Sequence, residues 1–113
     1  WFPVNYLIVQ SLRRFHDYYG DDFVVEHPAG SGQHRHLREV ATDITRRLSR
    51  LFLPDGQGQR PSLGAGAPWT AAEWREYPLF YEYFHGDTGK GLGASHQTGW
   101  TALIANLLHE ASD

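Results

Sequence analysis

Three stretches of this chain repeat their apolar residues at helical spacing, and glycine or proline marks the ends of the first two. The clearest runs from about His36 to Leu53, where Leu37, Val40, Ala41, Ile44, Leu48, Leu51 and Phe52 make one stripe. Arg38, Glu39, Asp43, Arg46, Arg47 and Arg50 fall off that stripe, and Pro54 closes it. A helix is predicted there with an ion-paired outer face, since Glu39 and Asp43 stand within reach of Arg46 and Arg47. An earlier stretch places Val4, Leu7, Ile8, Leu12, Phe15 and Tyr19 at helical spacing, with Pro3 in its first turn and Gly20 as its stop. Its apolar stripe is expected to face the core, and Arg13, Arg14 and Asp17 to face solvent. A third helix is predicted from Thr98, read as the N-cap, through Trp100, Leu103, Ile104, Leu107 and Leu108.

The segments between are connections. Residues 21–33 hold one short β-prone run, Phe23 to Val25, and residues 54–68 are too rich in glycine and proline for regular structure. A loop of that length inside a compact domain is usually functional or an insertion. Trp69 to Arg75 is predicted as a short helix and Tyr77 to Phe84 as extended or irregular, with Gly86, Gly89, Gly91 and Gly93 turning the chain repeatedly afterwards. No alternating strand competes with the helices, so the predicted class is all-α, with helices joined by long loops.

At 113 residues and a net charge of −3 the chain is the size of one domain, and its arginines are spread over helix faces. Neither nucleic acid nor a membrane is expected as a partner, because no basic patch and no apolar run of spanning length is present. The expected compartment is the cytoplasm. The chain has no cysteine, which removes disulfides and thiolate metal sites. His34 and His36 flank Arg35, but two histidines do not complete a tetrahedral site and no third ligand stands at a diagnostic spacing, so no metal and no cofactor are expected. Lys90 lacks the strand and the GxxxxGK[ST] context of a phosphate loop.

Candidate chemistry concentrates between Tyr77 and Leu108. Glu82 lies in the run of Tyr77, Phe80, Tyr81, Tyr83 and Phe84, a glycine-punctuated loop follows, and Trp100 stands at the start of the last helix. Sugar rings stack on aromatic faces while a carboxylate handles a proton or a water, so this succession points to a carbohydrate site. Rings packed on the Glu82 carboxylate would desolvate it and tune it toward acid–base work; the alternative is a glutamate pointing to water from an aromatic strand. Trp1 and Asn5 stand where the first helix begins, and a ring and an amide there can reach into a cavity. Glycoside hydrolysis uses two carboxyl groups. Asp21, Asp22, Glu26, Glu76 and Asp87 are the other candidates, none in a persuasive setting, and the Asp21–Asp22 pair fits a solvated turn.

The segments WFPVNYLI, HDYYGDD and LFYEYFHGDTGKGLGASHQTGWTALIANLL, in that order, resemble the C-terminal part of glycoside hydrolase family 63, which includes processing α-glucosidase I and resembles the bacterial mannosylglycerate hydrolases. The resemblance extends over nearly the whole chain and is strongest from Leu79 to Leu108 and from Trp1 to Ile8. It implies an (α/α)₆ toroid that cleaves α-glycosidic bonds with inversion, using an aspartate as general acid and a glutamate as general base. The family's glutamate falls on Glu82, and a tryptophan of the sugar-binding wall falls on Trp1. Trp100 either serves that wall or belongs to the core. The family's acid aspartate lies upstream of Trp1, and the chain opens on Trp1 without a methionine, so residues 1–113 are expected to be a partial catalytic domain, the C-terminal helices of the toroid. The expected partners are an oligosaccharide or small glycoside and the remainder of the chain's own catalytic domain. On its own such a piece is expected to self-associate and to turn over nothing. The competing readings are a noncatalytic carbohydrate-binding or scaffold module and a metal-binding domain resting on His34 and His36.

Overall fold

A computed structural model describes residues 1–66 and 77–111; the short helix predicted over 69–75, together with Glu76, lies outside them. The described residues are mostly helical. Helix α1 spans Phe2–Tyr19 and α2 spans Leu37–Arg50, and both pack against the shorter α4, Ile104–Glu110. A single turn of helix, α3 (Thr98–Thr101), precedes α4. Two antiparallel ribbons correct the all-α expectation: β1 (Val24–Glu26) pairs with β2 (His34–His36), and β3 (Tyr83–Phe84) with β4 (Gly91–Leu92). The strands are two or three residues long, too short for alternation to register in the sequence.

The boundaries have local causes. In α1, proline occupies the first turn, the Asn5 amide donates to the Trp1 carbonyl at 2.7 Å, and Gly20 at φ 72° carries the chain out. At the start of α2, His36 Nδ1 accepts the Glu39 amide hydrogen while the Glu39 carboxylate accepts that of His36. This is a capping box with an imidazole in the place usually taken by serine or threonine. The predicted single C-terminal helix is broken at Ala102 and Leu103. Thr98 lies inside α3 rather than capping it. Side chains of α3 are drawn toward the segment just before β3, where Trp100 Nε1 donates to the Glu82 carbonyl and Thr101 Oγ1 to that of Tyr81.

The core consists of Phe2, Val9, Ala41, Leu48, Phe52, Ile104 and Leu107. From α2 it takes the predicted face, with Leu37 and Val40 also buried. From α1 it takes another. Val4, Leu7, Ile8, Phe15 and Tyr19 are exposed, and the buried residues are Phe2, Val9 and His16. Burying an apolar side chain contributes roughly 1.5–3 kcal/mol, yet α1 turns most of its apolar residues outward and packs a narrower inner line. Arg13, expected in solvent, is half-buried because it pairs with Glu110. The same carboxylate accepts from Gln10 Nε2 at 3.2 Å and from Asn106 Nδ2 at 2.7 Å, and Asn106 also reaches the Tyr6 hydroxyl.

Asp43 departs from the predicted outer face in a similar way. It is buried, with His27 Nε2 at 3.0 Å and Arg47 Nε at 2.8 Å, and Arg46 also pairs with it. The β1–β2 ribbon brings His27 over α2, which the stripe alone does not foresee. The hydrogen bond from His27, then that from Arg46, holds the Asp43 carboxyl down to about 2. The loop read as structureless also has an anchor, a 3₁₀ turn at Pro61–Leu63 whose Ser62 and Leu63 are buried and whose Ser62 amide donates to the Leu51 carbonyl. No helix among the described residues is long and apolar enough to cross a membrane.

Candidate functional site

The segment from Phe80 to Phe84 sends its aromatic side chains in several directions, and this builds the site. Phe80 and Phe84 reach into the core, with ring centroids 6.1 and 5.6 Å from Phe52. Tyr81 lies where a Cβ on Gly91 would fall about 2.1 Å from its ring, so only glycine fits opposite it. Burial there pushes the Tyr81 phenol up. Tyr83 turns outward and stacks on Trp1 at 5.0 Å, with the planes 25° apart.

The three residues singled out in the sequence come together here. Trp1 meets Trp100 edge to face at 6.3 Å, and the Trp100 indole N–H donates to the Glu82 carbonyl at 3.0 Å. Both tryptophans remain substantially exposed, Trp1 at 56% and Trp100 at 40%, so the group forms an aromatic surface rather than a core. Trp100 is thus exposed rather than part of the core of the described residues. Asn5 is occupied by the Trp1 carbonyl, so its amide holds the helix start as well as lining the adjoining groove.

Glu82 is fixed from the other side. Its backbone amide donates to the Ala94 carbonyl at 2.8 Å, and Oε2 accepts the Ala94 amide hydrogen at 3.3 Å. Gly93 makes this approach workable. It sits at φ +75°, and a Cβ there would lie 2.7 Å from Glu82 Oε2 and 2.9 Å from the Tyr83 ring. Among the described residues no hydrogen bond reaches Oε1. The aromatic enclosure expected around the carboxylate is not built by Phe80 and Phe84, whose rings belong to the core.

A groove of 580 Å³ adjoins this surface, running from Trp1 along α1 and α2 to the turn that follows β3. Arg47, Arg50, His85 and Asp87 contribute its polar lining. Asp87 is the alternative carboxylate that, among the described residues, lines this groove together with Trp1. Asp21 and Asp22 follow the far end of α1, and Glu26 accepts the Gly32 amide hydrogen inside the first ribbon. His34 is exposed and pairs in register with Glu26, while the His36 ring lies 4.7 Å from that of His16. Tyr83 and Gly93 are the contributors that sequence reasoning missed. Tyr83 stood among five aromatics with nothing to mark it as the outward one, and Gly93 was one turn glycine among four.

No family model and no solved structure matches the chain. It is 48% identical over 97% of its length to an uncharacterized protein of Saccharomyces cerevisiae. It is 25% identical over 96% of its length to the mannosyl-oligosaccharide glucosidase of the same yeast. A stretch of 37 residues, 33% of the chain, is 40% identical to a probable mannosyl-oligosaccharide glucosidase of Schizosaccharomyces pombe, of which it covers 5%. The chain spans about a tenth of the length of the first two relatives. The chain is thus distantly similar to one mannosyl-oligosaccharide glucosidase and to a second, probable one.

Proposed function

We propose that this chain is the C-terminal part of an inverting α-glycoside hydrolase acting on α-glucosides or related oligosaccharides, with Glu82 as its general base. The observation that carries this reading is the meeting of Trp1, Tyr83 and Trp100 with the segment of Glu82, since residues 82 positions apart in sequence build one aromatic surface beside one carboxylate. In this reading Trp1 and Trp100 hold a sugar ring by stacking. Oε2 of Glu82 is oriented by the Ala94 amide, and Oε1 takes a proton from the water that attacks the anomeric carbon. The new C–O bond forms as the glycosidic C–O bond breaks, and the leaving oxygen takes its proton from an acid, an aspartate that the family resemblance places outside this chain.

The architecture that goes with this role is an (α/α)₆ toroid, with α1, α2 and the α3–α4 pair as C-terminal helices. The outward apolar face of α1 supports it, because that face fits against a further helix of the same domain. Glu82→Gln in the full-length protein is the test. Hydrolysis of an α-glucoside is expected to fall about 10²–10⁴-fold, with sugar binding retained and the melting temperature unchanged. Unaltered hydrolysis would leave the aromatic surface as a noncatalytic carbohydrate-binding module.

A further inference from the structure

We propose that His16, Asp21 and His36 form a binding site for a zinc-class dication, at the end of α1 remote from the aromatic surface. One donor atom from each of the three lies within 4.8 Å of the others. Three elements supply them: the last turn of α1, the turn beyond Gly20, and the junction of β2 with α2. The inference is independent of the glycosidase reading, because fifteen residues of helix separate His16 from Trp1, roughly 22 Å at 1.5 Å per residue.

The unusual member is His16. Its side chain is nine-tenths buried, and among the described residues Nδ1 has no hydrogen-bond partner. Its Nε2 faces Asp21 Oδ1 at 3.4 Å, long for a hydrogen bond. A buried imidazole ordinarily finds partners for its polar atoms, and one whose tautomer is not fixed by a hydrogen bond can offer a lone pair from either nitrogen. The His36 ring packs against it with centroids 4.7 Å apart and planes tilted by 33°. Asp21 is 83% exposed on its turn, so its carboxylate is free to close on an ion.

Two imidazoles and one carboxylate are a donor set that suits zinc, leaving a fourth position for water. Ligand bonds of ~2.0–2.2 Å bring tetrahedral donors roughly 3.3 Å apart; His16 Nε2 and Asp21 Oδ1 already stand 3.4 Å apart, so the three need to draw together by at most about 1.5 Å. His36 has a competing duty, because its Nδ1 accepts the Glu39 amide hydrogen at 3.3 Å. Coordination gives up that long cap and replaces it with a bond joining α1 to the start of α2. The ion would thus join the two helices at this end of the molecule.

The test uses tag-free full-length protein stripped with a chelator, titrated calorimetrically with zinc chloride and, separately, followed by visible absorption on adding cobalt(II). Asp21→Asn leaves the buried ring in place, and His36→Asn removes a ligand while keeping a side chain able to cap α2. The native protein is expected to take up one equivalent of zinc more than His36→Asn, and to give the intense visible bands of four-coordinate cobalt. Asp21→Asn should weaken that equivalent at least about tenfold, and Glu82→Gln should leave it untouched. Equal zinc stoichiometry and affinity in the native protein and His36→Asn would overturn the proposal, as would cobalt bands identical in the two.

Discussion

Helices α1 and α2 carry apolar stripes and use them in opposite ways. On α2 the stripe is the core, with Leu37, Val40, Ala41 and Leu48 all buried. On α1 the same kind of stripe lies in solvent, and the buried line is Phe2, Val9 and His16. An apolar stripe records that a surface is meant to be covered, without saying by which neighbour. Where the neighbour is in the chain, as α1 and α4 are for α2, the stripe predicts burial. The outward stripe of α1 is continued by Tyr18, Tyr19 and Phe23, all exposed, with Trp1 at its other end.

The contrast between closed seam and open face can be tested by substitution, starting inside. Phe2→Ala empties a fully buried position edge-on to Phe52 and should cost about 3–5 kcal/mol in denaturant unfolding. A cost below ~1 kcal/mol would mean that the seam is not packed as described. Gly93→Ala puts a methyl against Glu82 Oε2 at a left-handed position and should cost about 1–3 kcal/mol. Hydrolysis in the full-length protein should fall by more than the stability loss accounts for, since Glu82 itself is displaced. Acid probes the contacts that the first ribbon makes over α2. The Asp43 carboxyl is held at about 2 against an ordinary 3.8, so the stability it contributes is complete above pH 4 and is lost as pH falls toward 2. Because Arg46 and Arg47 are more than half exposed and screened, the contribution is about 1–2 kcal/mol. The stability gap between the native chain and Asp43→Asn should close over that range; a gap independent of pH would refute the pairing. On the open face, Leu7→Ser should change the stability of the isolated chain by less than ~0.5 kcal/mol while reducing its self-association in sedimentation. In the full-length protein the same change should cost more, and equal small costs in both would leave that face without a partner.

Much of this was legible beforehand, for reasons that differ by residue. Pro3, Gly20 and the α2 stripe announce their elements because each depends on a few neighbouring residues. Glu82, Trp1 and Trp100 were found as candidates through residue type and family resemblance, and their meeting needed the fold. Asp43 and Arg13 were misplaced because their burial depends on His27 and Glu110, 16 residues and 97 residues away, and helical spacing has no access to such partners. The two ribbons escaped notice for want of length. The split between α3 and α4 follows from hydrogen bonds to Tyr81 and Glu82, again across the chain.

The polar contacts gathered on Glu110 do more than join two helices. Gln10 and Arg13 on α1, and Asn106 one turn earlier on α4, all converge on one carboxylate, and Tyr6 extends the line. A slide of α4 along α1 by one turn, ~5.4 Å, would strand Gln10, Arg13 and Tyr6 at once, whereas apolar packing alone tolerates such a shift at smaller cost. The clamp therefore works as a ruler. Trp1 rides at one end of α1 and Trp100 just ahead of α4, so locking the two helices in register at Glu110 sets the spacing between the two indoles at the other end of the seam.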